Sequence, residues 1–176
     1  MVKKTVNYFR KLRLRIRFGN RIQIASLPKT HILPKMYVSS NGSITVGDNL
    51  MAERNASLES YSDGVIRVGN NVFINSNVKI VSRKEIVIGD NTMIAPNVCI
   101  YDHDHDWHGG DVQNEFAADA VHIGNNVWIG ANSVILRGTT IGDNSVIAAG
   151  TVVKGNVDAG CILYQKRENV YRQITL

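Results

Sequence analysis

From Val68 onward the chain keeps a six-residue beat: an aliphatic residue, a small or polar one, two free positions, then a small or β-branched residue. The unit appears as Val68-Gly69-Asn70-Asn71-Val72-Phe73 and again as Ile88-Gly89-Asp90-Asn91-Thr92-Met93. Five consecutive units, starting at Ile123, Ile129, Ile135, Ile141 and Ile147, run without a slip of register. A period of six fits neither the 3.6 of an amphipathic helix nor one long alternating strand, but it does fit short strands separated by tight turns. Three units make one triangular coil, with Ile123, Ile129 and Ile135 pointing inward from successive sides and Ile141 stacking on Ile123. Gly and Asn in the following positions belong at the corners, where they tolerate turn conformations that other residues resist. Coils then stack at the strand spacing of roughly 4.8 Å, each burying its aliphatic layer against the next. The expected fold is an all-β parallel β-helix over residues 38–158, preceded by a basic segment, 1–37, and followed by a tail, 159–176.

A chain of 176 residues with 44% hydrophobic content can fill one slender solenoid core. The sequence has no apolar run of membrane-spanning length and no hydrophobic secretory segment, so it predicts residence in the cytoplasm. Cys99 and Cys161 lie in different contexts and read as small buried or half-buried side chains rather than a disulfide, a metal site or a nucleophile. Charge is unevenly placed: Met1 to Gly47 holds ten Lys or Arg and no Asp or Glu, while the remainder holds ten basic against fifteen acidic residues. Val2, Val6, Phe9 and Leu12 have helical spacing. Lys11 to Phe18, however, alternates strictly, and as a strand would set Arg13, Arg15 and Arg17 against Leu12, Leu14, Ile16 and Phe18. The segment reads either as a solvated cap on the open end of the solenoid or as a surface drawn to anionic lipid headgroups or an acidic glycan. Nucleic acid is not expected as a partner, since no stacking aromatics or binding fold accompany the charge.

Between Ile100 and Val121 the beat gives way to Tyr-Asp-His-Asp-His-Asp-Trp-His-Gly-Gly and a polar stretch, an extruded loop over 101–120. Such loops are where solenoids carry function. His103, His105 and His108 stand there among Asp102, Asp104, Asp106 and Asp111. A histidine takes a proton near neutral pH, and a neighbouring carboxylate can fix its tautomer and stabilise the imidazolium, which is the equipment of a general base. His108 and His122 read as solvated.

These repeats and this loop resemble the hexapeptide-repeat, left-handed β-helix acyltransferases, above all the galactoside and maltose O-acetyltransferases and the O-acetyltransferases of bacterial surface polysaccharides. The resemblance covers about residues 38–158 and implies left-handed coiling, a homotrimer with clefts between subunits, and acetyl-CoA as cosubstrate with no metal. Counted without gaps from Ile94-Ala95-Pro96-Asn97, His105 falls where the galactoside and maltose enzymes keep their catalytic histidine. His103 is the alternative, because the loop up to Trp128 is one residue shorter than in those relatives. The resemblance places Trp128 beside the acceptor and the pantetheine arm, Asn75 on the acceptor hydroxyls, and Gly130, Ala131, Ala149, Thr151 and Lys154 along the coenzyme groove. Arg83 stands where the galactoside enzyme has an acidic acceptor contact. It favours a carboxylate or phosphate on the acceptor, or else is a solvated corner residue pairing with Glu85. The Gly-x-Pro-Ala-Lys/Arg segment with which many relatives hold coenzyme A is missing, and Lys166 and Arg167 are the candidates to replace its cation. The spacing of His103 and His108 also resembles the ligand pair of the γ-class carbonic anhydrases, but no third partner is evident.

The function so implied is O-acetylation of a cell-surface glycan (capsule, O-antigen or exopolysaccharide, acidic in character). N-acylation of a nucleotide-linked amino sugar, an antibiotic acetyltransferase and a non-catalytic trimeric scaffold are the alternatives.

Overall fold

The computed structural model describes residues 2–28, 31–108 and 110–174; Met1, Lys29 and Thr30 of the N-terminal segment, Gly109 of the loop, and Thr175 and Leu176 of the tail lie outside them. An α-helix, Val2–Phe18, leads through a short 3-10 turn into three parallel sheets of seven, six and six strands, and a two-stranded antiparallel hairpin stands apart from them. The three sheets are the sides of a left-handed parallel β-helix of about six turns.

Its register is the one the repeat demands. Ile123 pairs with Ile141 on the first side, Ile129 with Ile147 on the second and Ile135 with Val153 on the third. All of these are buried, and they continue upward through Ile88, Ile94 and Ile100, which are also buried. Burying one such side chain contributes about 1.5–3 kcal/mol, so the repeated aliphatic layer is the main stabilising term of every coil.

The solenoid extends beyond the repeat at both ends. Ile22–Ile24 already pairs with Ser43–Val46, and Ile162–Leu163 pairs with Val146–Ile147. The early coils escape the six-residue pattern because they are longer: corner partners lie 22 residues apart near Asn49 and Asn55, 20 apart near Asn71 and 18 apart near Asn126. The turn chemistry meets two needs. Most corners that need positive φ are taken by asparagines, Asn71 at 55° and Asn132 at 60° among them, with Ser40, Ser62, Gly138 and Gly150 at others. The asparagine amides form ladders from coil to coil, Asn55 to Asn77 to Asn97 to Asn132, at 3.1–3.2 Å. Gly89 answers a different need, since a Cβ there would come within 2.6 Å of the Gly124 backbone in the next coil.

The alternating stretch Lys11–Phe18 is helical, not extended. Packing overrides its period of two: the helix face that meets the first coil carries Asn7, Lys11, Leu14 and Phe18, spaced i, i+4, i+7, i+11. Fully buried Asn7 donates to the carbonyl of His31 at 2.8 Å and accepts from Leu33 N–H at 3.0 Å, and Lys11 donates to Ile24 O at 2.7 Å. Among the described residues no helix is long and apolar enough to cross a membrane. Cys99 is half-buried as expected, whereas Cys161 is exposed, because the coil below it ends and nothing covers that corner.

Candidate active site

Strand Cys99–Tyr101 of the third side does not turn the corner into strand Val121–Ile123 of the first; the chain leaves the wall as the hairpin His103–His105 with Phe116–Ala118. Its root is Asp102, which is fully buried. That carboxylate accepts from Ser82 Oγ at 2.6 Å, from the backbone N–H groups of Arg83 and Lys84 at 2.8 Å each, and from His103 Nδ1 at 2.9 Å. Burial alone would raise its pKa, but the four donors outweigh that cost and hold it below the ordinary carboxylate range. Asp102 is therefore ionised, and Nδ1 of His103 carries the proton it donates.

Strand alternation sorts the hairpin into two faces. Asp104 turns to the wall, where Arg137 bridges it at 2.7 Å and Asp119 at 3.0 Å, while Lys84 reaches Asp119 at 3.3 Å. The hydrogen bond that Arg137 donates to Asp104, followed by the charges of both carboxylates, raises the Arg137 pKa, so this clamp stays charged. His103 and His105 share the opposite face with Phe116, whose ring centre lies 5.7 Å from the first imidazole and 4.5 Å from the second. The Arg83 guanidinium sits 3.4 Å above the same ring. Tyr101 closes the group edge-on to His103; burial, then Cys99, pushes its hydroxyl up to about 12, so it remains a neutral phenol.

The two histidines differ in what they offer. His103 is wedged between Tyr101 and Phe116, its side chain 13% exposed. His105 is exposed, and its Nδ1 lies 2.5 Å from the carbonyl oxygen of Val112. A carbonyl only accepts, so Nδ1 carries the hydrogen and Nε2 keeps a lone pair open to the surface. An exposed imidazole with its tautomer fixed from behind can take a proton from an approaching hydroxyl. His108 lies nearer the hairpin tip, stacked 3.8 Å from exposed Trp107, and His122 is 4.0 Å from Glu85. Among the described residues no group of three His, Cys, Asp or Glu is placed to hold a metal. Glu85 pairs with Arg67, so Arg83 does not pair with Glu85 as its spacing allowed; it stacks on Phe116 instead.

The remaining candidates lie elsewhere on the prism. Trp128 is half-exposed on the second side, between Met93 and Val146, and Asn75 follows the strand Phe73–Ile74 of that side. Gly130, Ala131, Ala149 and Thr151 come together at the corner between the second and third sides, where Gly150 N–H donates to Ala131 O at 2.7 Å. Gly130 and Thr151 are buried, whereas Ala149 is exposed. Among the described residues the Ala131 N–H has no backbone acceptor, while Gly130 and Asn132 on either side donate to Ile147 and Pro96. Arg167 folds back onto the carbonyl of Gly150 at this corner; Lys154 and Lys166 are exposed. Thus one chain carries the histidine hairpin on one corner of the triangle and the small-residue groove on another.

Sequence reading passed over Phe116, Tyr101 and the Arg137 clamp. Phe116 had a signal, being the one aromatic between the histidines and Val121 that follows a polar stretch. The clamp had none, since Arg137 reaches Asp104 across 33 residues. Arg137→Ala is expected to free the hairpin: amides of 103–105 and 116–118 should exchange hydrogen at least about tenfold faster, with the coil around Ile129 and Ile135 unchanged. Hydrogen-exchange mass spectrometry checks this.

Comparison with known proteins fits this geometry. A model of the bacterial transferase hexapeptide family (six repeats) matches residues 120–155. A protein named as a lipopolysaccharide biosynthesis O-acetyl transferase, WbbJ of Escherichia coli, is 33% identical over 137 residues, 72% of this chain and 70% of its own length. Galactoside O-acetyltransferase of E. coli is 41% identical over 98 residues, 55% of this chain; the match spans about half, 47%, of that relative. A hexapeptide-repeat acetyltransferase of Vibrio cholerae, solved with acetyl coenzyme A, superposes with a TM-score of 0.57 at 26% identity over 91% of this chain and 76% of its own.

Proposed function

This chain belongs to the hexapeptide-repeat acetyltransferases, and from that premise we propose that it moves an acetyl group from acetyl-CoA to a hydroxyl of a cell-surface glycan. The observation that carries the reading is His105, exposed on the hairpin with Nδ1 tied to Val112 O, which leaves Nε2 as the ring nitrogen available to accept. Nε2 takes the proton of the acceptor hydroxyl as its oxygen attacks the thioester carbonyl. The Ala131 N–H is aligned to receive the oxyanion. Collapse of the tetrahedral intermediate expels the thiolate of coenzyme A, which recovers the proton from the imidazolium, leaving an acetyl ester, free coenzyme and neutral His105. No acyl-enzyme is needed.

The corner of Gly130, Ala131, Ala149 and Thr151 suits a pantetheine arm, because small side chains let a ligand run close to the backbone. Trp128 flanks the arm, and Lys154, Lys166 and Arg167 supply charge for the coenzyme phosphates. Since hairpin and groove occupy different corners, the site is completed between neighbouring copies of a homotrimer, the hairpin of one covering the groove of the next. Asn75 serves the acceptor hydroxyls. The trimer works against the cytoplasmic face of the membrane, where the acceptor is a polymer or its lipid-linked precursor.

Arg83, held over Phe116 beside the histidines, supports an acidic acceptor. Arg83→Glu is expected to raise KM for a glycan bearing a carboxylate or phosphate by about tenfold, with kcat and the KM of a neutral acceptor nearly unchanged. The function itself is tested by mass spectrometry of surface glycans from cells with and without the protein. Loss of one acetyl group from the glycan supports it, and an unchanged glycan with an N-acylated nucleotide sugar as product overturns it.

A further inference from the structure

The N-terminal helix has a second stripe. On the side opposite Asn7, Lys11, Leu14 and Phe18, the same i, i+4, i+7, i+11 spacing brings Thr5, Phe9, Leu12 and Ile16 into line. Three of these are large and apolar, and they stand in water: Phe9 is 62% exposed, Leu12 43% and Ile16 78%, with Tyr8 at the border 60% exposed. The stripe is not core out of place, because the inward face is already satisfied by Asn7, Lys11 and Phe18. Basic residues flank it on both sides, Arg13 and Arg17 on one and Lys4 and Arg15 on the other, and the helix holds no acidic residue. Beyond Tyr8 and Phe9 the apolar surface continues onto Leu27 and Pro28.

We propose that this stripe is a docking face for an anionic lipid bilayer, on which the helix lies in the plane of the headgroups with Phe9, Leu12 and Ile16 inserted. An apolar stripe between cationic borders is the signature of an interfacial helix. Cations near an anionic leaflet and apolar side chains below the headgroups add to one another, which gives the two signals that stable peripheral binding needs. A second copy of the helix is a poor occupant, since self-pairing would set Arg13, Arg15 and Lys4 against their own images with no acid between Met1 and Gly47 to neutralise them. The inference deepens the membrane placement given above, and the reading of a membrane-bound acceptor rests on the same footing. Its test reads vesicle binding and acetyl transfer separately.

The experiment is co-sedimentation of the full chain with phosphatidylcholine vesicles carrying roughly one-third phosphatidylglycerol, against vesicles of phosphatidylcholine alone. Expected is binding to the anionic vesicles that weakens with salt. The variant Phe9→Ser/Ile16→Ser should bind at least about tenfold more weakly, and Arg13→Gln/Arg15→Gln should lose about tenfold and show a shallower salt dependence. Both should keep the parent's mass in solution and its release of coenzyme A with a small soluble acceptor. No binding to anionic vesicles overturns the proposal, as does binding indifferent to the loss of Phe9 and Ile16. A changed oligomer mass in the apolar variant also overturns it, by making the stripe an interface between copies. Failure of coenzyme A release in the parent would count against the catalytic reading and leave the vesicle result standing.

Discussion

Replacing His105 by Ala should lower kcat by about 10²–10⁴-fold, the range a single general base contributes, with the oligomer and the affinity for acetyl-CoA nearly unchanged. The imidazole is exposed and, among the described residues, touches only Phe116 and the carbonyl of Val112 within the hairpin, not the solenoid core, so its removal should leave the melting curve nearly unchanged. His103→Ala should behave differently. Its ring packs between Tyr101 and Phe116 and its Nδ1–H donates to a buried carboxylate, so its loss should lower stability first and rate second. Rate measurements on both variants, each with a melting curve, separate the base from the residue that positions its hairpin. If His103→Ala abolishes turnover in a fully folded protein while His105→Ala does not, the roles are reversed.

The second large effect is on stability. Asp102→Asn should destabilise the chain by about 3 kcal/mol or more, because each buried donor left without an acceptor costs about 1–3 kcal/mol. The fully buried side chain accepts four donors, and an amide offers one oxygen and turns its own N–H groups toward the rest. The same carboxylate makes stability depend on acid. Its folded pKa lies below the ordinary value of 3.8, so its contribution is fully present above that value and is lost as pH falls through the lower, folded one. Denaturant unfolding of parent and Asn variant at neutral pH and again below pH ~3.8 should show the gap between them closing in acid. A constant gap would mean that Asp102 acts through packing and not through charge.

The parts of this molecule that could be read in its sequence are those fixed by local chemistry. Ile123, Ile129 and Ile135 specify the wall because each six-residue unit must close its own turn, and the register Ile123 to Ile141 follows directly. The loop announced itself by breaking that rule, its three histidines stood out among carboxylates, and the family resemblance singled out His105 from them. The first half of the helix showed in the spacing of Val2, Val6 and Phe9, but its second half was illegible because the alternation of Leu12, Arg13, Leu14 and Arg15 is a true period-two pattern, yet Leu14 and Phe18 gain burial only when the segment is helical. The role of Asp102 was hidden for a similar reason. Four acids surround the histidines, and only the stacking of Ser82 above one of them marks which is buried. The same holds for Arg83, whose partner Phe116 is brought to it by the antiparallel pairing of His105 with Phe116.

The proposed trimer gives the oligomer a part in the chemistry by joining two corners of the triangle from neighbouring chains, and mixed trimers test it. His105→Ala removes the base and Ala149→Trp fills the groove, so each chain alone should be inactive. In trimers assembled from equal amounts of both, a cleft with an intact hairpin from one chain and an intact groove from the next occurs in about one of four cases. About a quarter of the parental turnover should therefore return on mixing. Mixed trimers no more active than either variant alone would place base and groove in the same chain and contradict the shared cleft.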